Sequence, residues 1–304
     1  MHHPLIGDGQ LALRKRVISL FQNGFSIKRA SNIVFVCGGN EATDMRPLFC
    51  AYCDQHMTDF EIFMPEGAME NVMAGGADEP FDIADFEELV GELSHAIVIF
   101  PEAPGSFAET GYFAAIEALA QKTILALDFN RQRHDSFISL GPAKKINSVS
   151  WFQPTIQLDY SNPRFEDIVE RIRRVRRHHN SKTLQLKAFS EMTAYELSAV
   201  IHEIVRVMSI ATVDDVMYLM RGFFNAHVSL GKVQKLMSIL VGAKSLIEIG
   251  DYGHVYANPQ KETLLTTREG FQGVWSEIRL SLGELYLGAE VDFQKLVEEV
   301  HDAD

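Results

Sequence analysis

The sequence predicts an α/β fold, a Rossmann-like parallel sheet flanked by helices, followed by a mostly helical second domain. Up to about residue 130, short apolar runs alternate with helix-like segments, and each run ends in glycine, proline or a polar residue. Beyond about residue 160 the strand pattern fades and helical spacing dominates. We therefore expect domains at residues 1–160 and 188–304, separated by a basic helix and linker at 161–187.

Hydrophobic periodicity places the elements of the first domain. Strand-like runs cover residues 33–36, 60–65, 96–101 and 123–128, and helix-like segments cover 8–25, 43–57, 83–94 and 106–121. Ligands of parallel sheets bind at the carboxyl ends of the strands. Those ends here read "CGGN", "MPEG", "FPEAPGS" and "LDFN", and we expect the functional site among them.

The second domain has a different order of elements. Helix-like segments at 164–179 and 188–209 precede "TVDDVMYLMRGFF", a helix with Thr212 as N-cap, and "LGKVQKLMSILVGAKSL", a second helix. Two β-prone runs around glycines and amphipathic helices at 272–303 follow. Helix, turn, helix and hairpin in that order predict a winged helix-turn-helix-like domain. The alternative is a small helical dimerisation or docking module, since Lys232 and Lys235 are the only cations before Lys244 on the second helix.

Composition narrows the function classes. A net charge of -13 argues against a chain that coats nucleic acid over its whole surface. The absence of an apolar run of about 18 residues and of a signal-peptide h-region predicts a cytoplasmic protein with no membrane contact. Cys37, Cys50 and Cys53 are too few for a disulfide scaffold, and "CAYC" has no second Cys pair to complete a zinc site. We therefore expect no metal and helical core positions for "CAYC", with a redox or metal role as the alternative.

One basic block runs against the acidic balance. Residues 164–187 hold 8 of the 28 Lys and Arg residues against three acids. Such a patch predicts contact with nucleic acid or a partner, and the alternative is a solvated helix face. The candidate contacts are Arg171, Arg173, Arg174, Arg176 and Arg177, together with Lys232 and Lys235 of the later helix.

Several common catalytic motifs are missing from the sequence. "CGGN" lacks the G-x-G-x-x-G spacing of dinucleotide sites, no phosphate loop or H-E-x-x-H occurs, and neither His95 nor His134 stands near a nucleophile elbow. The paired glycines of "CGGN" would let a ligand approach backbone N–H groups, with Asn40 adding an amide. The alternative is a turn that requires positive φ.

Glu109 is the candidate for chemistry. Ser106 and Glu109 have the S-x-x-E spacing of a capping box, in which the carboxylate would reach back to the Ser106 backbone N–H. A first-turn carboxylate is favoured in its ionised form by the helix dipole, and beside a sugar C1′ it can stabilise or trap an oxocarbenium ion. Glu109 is therefore a cap, a catalyst or both.

The other strand ends supply candidates for substrate contact. Glu66 and Glu102 could bind ribose hydroxyls or act as an acid, or they are solvated loop charges. The full set of candidate substrate-binding residues is Cys37, Gly38, Gly39, Asn40, Glu66, Pro101, Glu102, Gly105 and Ser106.

The motifs "VFVCGGN", "IFMPEGAMENVMAG", "AIVIFPEAPGSFAETGYFA" and "SFISLGPAKKIN" resemble, in order and spacing, the effector of bacterial retron anti-phage systems with a nucleoside 2-deoxyribosyltransferase-like domain. The resemblance covers residues 30–150 by motif and the C-terminal half by pattern alone. It implies an N-glycosidase with NAD⁺ as substrate and no cofactor, and the glutamate of its P-G-S-F-x-E motif, the catalytic residue, corresponds to Glu109. One departure is Asn40, where the related motif reads C-G-G-D.

The resemblance also implies partners. A reverse transcriptase and its multicopy single-stranded DNA (msDNA) would hold the effector inactive until infection, in an oligomeric complex contacted by the basic helix and the winged-helix-like half. The predicted function is a toxin that cleaves the N-glycosidic bond of NAD⁺, or of a nucleoside or nucleotide, through Glu109. The alternative is a non-catalytic nucleotide-sensing module that docks DNA or protein.

Overall fold

A computed structural model of the chain describes residues 3–28, 31–64, 82–131, 135–176, 181–224, 227–250 and 252–302. They form two compact units. The helical unit comprises residues 3–28 and the described residues of 181–302, and the sheet unit comprises residues 31–64 and the described residues of 82–176. Across these described ranges, no helix combines the length and the apolar character needed to cross a bilayer.

The units divide the chain differently from the predicted boundaries. Helix α1 (Leu11–Asn23) and strand β1 (Phe25–Ile27) belong to the helical unit, because β1 pairs with strands at 182–183 and 265–267. The basic helix at 166–176 belongs to the sheet unit, because its apolar side chains Ile168, Val169 and Ile172 are buried in the core of that unit. It is therefore not part of a linker.

The sheet unit is built on five parallel strands. These are β2 (Ile33–Cys37), β3 (Glu61–Phe63), β4 (Ala96–Ile99), β5 (Thr123–Asp128) and β6 (Ile156–Leu158), in the spatial order β3-β2-β4-β5-β6. Every residue of β2, β4 and β5 is buried, which explains why their sequences are continuous apolar runs. The predicted parallel sheet flanked by helices is confirmed, and β6 is an additional strand.

Seven helices accompany the described strands of the sheet unit. They are α2 (Met45–His56), α3 (Ile83–Leu93), α4 (Pro104–Ala115), α5 (Glu117–Lys122), α6 (Phe137–Leu140), α7 (Pro142–Val149) and α8 (Glu166–Arg176). The single helix expected at 106–121 is two helices, because Ile116 between them has an extended backbone. Phe49 of α2, Phe100 after β4 and Phe165 before α8 pack ring against ring in the core.

The helical unit continues with β7 (Lys182–Thr183), α9 (Ala194–Met208), α10 (Val213–Phe224), α11 (Leu230–Gly242), β8 (Leu246–Ile249), β9 (His254–Ala257), β10 (Leu265–Thr267), α12 (Gln272–Leu287) and α13 (Val291–Asp302). Strands β8 and β9 form an antiparallel hairpin, and Ala211 bridges to Val255 of β9. Thr212 caps α10 as predicted: its hydroxyl accepts from the Asp215 N–H at 3.3 Å, and the Asp215 carboxylate accepts from the Thr212 N–H at 2.8 Å.

Candidate functional site at the carboxyl ends of the strands

The helix that carries Glu109 begins earlier than the capping-box spacing predicts. Pro104 occupies the first helical position, which suits its fixed φ, and Ala103 before it is extended. The Ser106 hydroxyl accepts from the backbone N–H groups of Glu102 and Ala103 at 3.1 and 3.0 Å. Ser106 therefore reaches back to the helix start itself, and the prediction that Glu109 does so is wrong.

Glu109 lies in the second turn of α4, and its side chain contacts the end of strand β2, which lies between β3 and β4. The thiol of Cys37, the last residue of β2, donates a hydrogen bond to the Glu109 carboxylate. Burial raises the pKa of the Cys37 thiol well above its ordinary value, and the charge of Glu109 raises it further, so the thiol keeps its proton. The helix dipole acts mainly within the first turn, so Glu109 in the second turn lies beyond its main range.

Glu102 joins two parts of the site through backbone hydrogen bonds. One carboxylate oxygen accepts from the N–H groups of Gly39 at 2.9 Å and Arg46 at 3.3 Å, and the other accepts from Met45 N–H at 2.8 Å. Met45 and Arg46 begin α2, whose N-cap residue Asp44 makes no side-chain capping bond. Glu102 thus caps α2 from a distant part of the chain and is not a solvated loop charge.

The two glycines of "CGGN" are required by close packing. A Cβ on Gly38 would lie 2.9 Å from a Glu102 carboxylate oxygen, and a Cβ on Gly39 would lie 2.0 Å from a carboxylate oxygen of Asp44. Neither glycine is among the residues with positive φ, so a turn that requires positive φ is the wrong explanation. Asn40, the next residue, is exposed.

Arg46 is a site residue that the sequence reasoning missed. Its side chain is only 6% exposed, and its Nε donates to the Gly39 carbonyl at 3.1 Å. Its positive charge partly offsets the effect of burial on the pKa of Cys37, which places it close to that thiol. A cation in the first turn of a helix is unfavourable, because it opposes the helix dipole. The arginine in "DMRP" occupies this position, which was the sequence signal that could have marked Arg46 as a site residue.

Glu87 and Tyr160 lie near the same strand ends, and Tyr112 of α4 bonds to Glu88 of α3. The charge of Glu87 on α3 contributes to the raised pKa of Cys37, and the Tyr112 hydroxyl donates to Glu88 at 3.0 Å. Burial raises the pKa of Tyr112 to about 12. Burial also raises the pKa of Tyr160, with the charge of Glu102 as a further cause. The site is therefore rich in carboxylates, an environment that favours cationic species.

The remaining predicted site residues have varied placements. Pro101 is buried and Gly105 is exposed, with open space where its Cβ would be. Cys53 is buried in the core against Met57, and burial raises its pKa to about 12, as expected for a packed thiol. Glu66, His134 and Arg177 lie outside the described residues.

The basic helix α8 uses two of its arginines within the sheet unit. Arg171 donates to the carbonyls of Phe152 and Pro154, and Arg173 donates to the His56 carbonyl and to Asp59. These contacts hold α8 against the rest of the sheet unit and reduce the number of its arginines that are available to a partner. Arg174 is exposed, and Lys232 and Lys235 are partly exposed on α11. Contact of these residues with a partner stays a prediction, as it does for Arg176.

Comparison with known proteins places the chain among retron components. Residues 42–248, more than half of the 304, match the family described as STM3845 retron effector protein. An Escherichia coli protein named "Retron Ec86 putative ribosyltransferase/DNA-binding protein" is 33% identical over 135 residues, which are 43% of this chain and 42% of that protein. The match thus spans about two fifths of the length of that relative.

Proposed function

The chain belongs to the STM3845 retron effector family, and from that premise we propose that it is the toxic effector of a retron anti-phage system that cleaves an N-glycosidic bond through Glu109. The observation that carries the proposal is the Glu109 carboxylate, which lies against the Cys37 thiol at the carboxyl end of β2, an inner strand of a parallel sheet. The name of the Escherichia coli relative includes the words "putative ribosyltransferase", which supports chemistry at ribose C1′.

In the proposed reaction, the bond between C1′ and the base nitrogen breaks and its electron pair leaves with the base. Glu109 stabilises the resulting oxocarbenium ion or forms a bond to C1′. Water then adds its oxygen to C1′ and releases a proton. With NAD⁺ as substrate, the products are nicotinamide, ADP-ribose and a proton.

The electrostatics of the site favour NAD⁺ as the substrate over a neutral nucleoside. Glu87, Glu102 and Glu109 all lie near the end of β2 or the loop after it. A cluster of carboxylates stabilises the cationic nicotinamide ribosyl group and the oxocarbenium ion derived from it. Arg46, buried beside Gly39, would then face the negative diphosphate.

Incubation of the purified chain with NAD⁺, and separately with a panel of nucleosides and nucleotides, tests the proposal. Glu109→Gln keeps the size of the side chain and removes its charge, and we expect it to abolish both NAD⁺ loss and toxicity in cells. Glu117→Gln on α5 is a matched control that should retain both. A Glu109→Gln protein that stays fully toxic would instead favour the non-catalytic nucleotide-sensing module.

We also propose that the helical unit docks the retron partners, a reverse transcriptase and msDNA. The order α9, Ala211 bridge, α10, α11 and the β8–β9 hairpin is the order of a winged helix, with α11 as the recognition helix. The relative's name includes DNA binding, which supports this role. Lys232 and Lys235, three residues apart on α11, share one helix face and would contact phosphates.

A further inference from the structure

A cavity with a basic lining lies within the helical unit. Its volume is about 280 Å³, and residues of α9, α12 and α13 and of the segment after β9 line it. Three cationic side chains, Arg206, Lys261 and Arg279, face it, together with Asn258 and Thr263. Among the described residues that line the cavity, none is Asp or Glu. In a chain with a net charge of -13, this concentration of positive charge indicates an anionic ligand.

Contacts around Trp275 hold the two arginines of the cavity in place. The guanidinium carbon of Arg206 lies 5.0 Å from the ring centroid of Trp275, and that of Arg279 lies 5.6 Å from it. Arg279 also donates to the Arg206 carbonyl and, at 3.0 Å, to the Ser209 hydroxyl. Because the side chains are already ordered, a ligand would bind them with a small loss of conformational entropy.

Two titratable groups next to the arginines, Glu203 and His202, carry less than a full charge near neutral pH. The buried Glu203 contacts Arg206 at 3.3 Å and accepts a hydrogen bond from the Trp275 indole N–H at 3.1 Å. Burial raises the pKa of Glu203 to about 7, so near neutral pH this carboxyl group is only partly ionised. Burial lowers the pKa of His202 to about 4, and this ring is neutral under the same conditions.

We propose that this cavity binds a free mononucleotide, with the phosphate on Arg206, Lys261 and Arg279 and the base against the apolar wall. Arginine pairs bidentately with phosphate oxygens, and lysine adds a point charge. Val297 and Val300 supply apolar surface to the lining. The site belongs to the helical unit and is separate from the carboxylate-rich site around Glu109.

The size of the cavity favours a small ligand over a nucleic acid strand. Cavities that bind small molecules measure roughly 300–1,000 Å³, so about 280 Å³ stands at the lower limit of that range. A single strand instead needs a groove with successive stacking platforms. Trp275 is the one Phe, Tyr or Trp ring among the described lining residues, and the guanidinium groups of Arg206 and Arg279 lie over it, so the lining offers no series of stacking platforms.

Calorimetric titration of the full chain with 5′-AMP tests the proposal. Adenosine, inorganic phosphate and a 5′-phosphorylated single-stranded oligonucleotide serve as comparison ligands. We expect Lys261→Gln to weaken AMP binding by about tenfold or more, because a charge-assisted contact is lost. Lys261→Arg should bind within about threefold of the original, because the charge remains. Lys295→Gln is the matched control, since this exposed lysine of the same unit lies outside the cavity lining and should not alter binding.

Three results would overturn the proposal. The first is the absence of AMP binding at millimolar concentration, and the second is equal AMP affinity of the Lys261→Gln protein and the original chain. The third is tighter binding of the oligonucleotide than of AMP with the same Lys261 dependence, which would assign the cavity to a strand end. Glu109→Gln leaves this cavity unchanged. Loss of NAD⁺ cleavage in the Glu109→Gln protein and loss of AMP binding in the Lys261→Gln protein are therefore separate outcomes.

Discussion

Glu102 and Glu109 stand seven residues apart, and the structure gives them different roles that mutation can separate. Glu102 accepts three backbone hydrogen bonds that tie Gly39 and the start of α2 to the end of β4. Glu109 contacts the Cys37 thiol, which is a weak donor. We therefore expect replacement of Glu102 to lower the stability of the sheet unit, and replacement of Glu109 to remove activity with little change in stability.

The expected magnitudes follow from the hydrogen bonds. A hydrogen bond to a charged group contributes about 1.5–3 kcal/mol, but water can reach donors at this half-buried position and replace part of each bond. Glu102→Ala should therefore lower the free energy of unfolding by about 3 kcal/mol. Glu102→Gln keeps one acceptor oxygen but loses the charge at the helix N-terminus, so it should lower the free energy of unfolding by about 1–2 kcal/mol. Glu109→Gln should change the free energy of unfolding by about 1 kcal/mol or less.

Urea unfolding followed by tryptophan fluorescence can measure these stability differences for the sheet unit by itself. The chain has two tryptophans, Trp151 in the sheet unit and Trp275 in the helical unit. In a Trp275→Phe background, Trp151 alone reports on the sheet unit. An unchanged urea midpoint for Glu102→Ala, or a larger loss for Glu109→Gln than for Glu102→Gln, would refute the assignment of the two carboxylates.

Two further predictions concern acid sensitivity and nucleic-acid contact. The folded-state pKa of His202 is about 4, below its ordinary 6.5, so its stabilising contribution is complete above pH 6.5 and is lost as the pH falls towards 4. His202→Leu should reduce the loss of unfolding free energy between pH 7 and pH 5 by about 2 kcal/mol, and an equal loss in both proteins would contradict the assignment. Arg174→Gln should reduce the salt slope of single-stranded DNA binding by about 0.7 without changing thermal stability. Arg173→Gln should lower thermal stability, because its bonds to His56 and Asp59 are lost, and an unchanged slope for Arg174→Gln would favour a solvated helix face.

The sheet was predictable from the sequence because its central strands are buried on both faces. Residues 33–37, 96–99 and 123–128 are continuous apolar runs, and the polar segments after them mark their carboxyl ends. Strands β1 and β6 escaped prediction because each is a three-residue segment with a polar residue in the middle, Ser26 or Gln157, and so forms no continuous apolar run. Their existence depends on the partner strands that neighbour them.

The candidate site was predictable in position but not in its internal contacts. The order of the motifs pointed to Glu109 and to the glycines of "CGGN" at one edge of the sheet. It did not reveal that Glu102 caps a helix whose first residues precede it by more than 50 positions, or that Arg46 lies buried beside Gly39. Such contacts depend on the path of the backbone between the residues, which no local pattern records.

The sequence by itself determined the local features of this protein: the apolar strands, the Thr212 cap and the glutamate that follows the P-G-S turn. The tertiary structure alone decided which unit holds the first helix, that α8 packs on the sheet, and that Ser106 rather than Glu109 completes the start of α4. The physical reason is the range of the interactions. Propensity and capping act between neighbours in the chain, whereas burial and strand pairing join residues that only the folded backbone brings together.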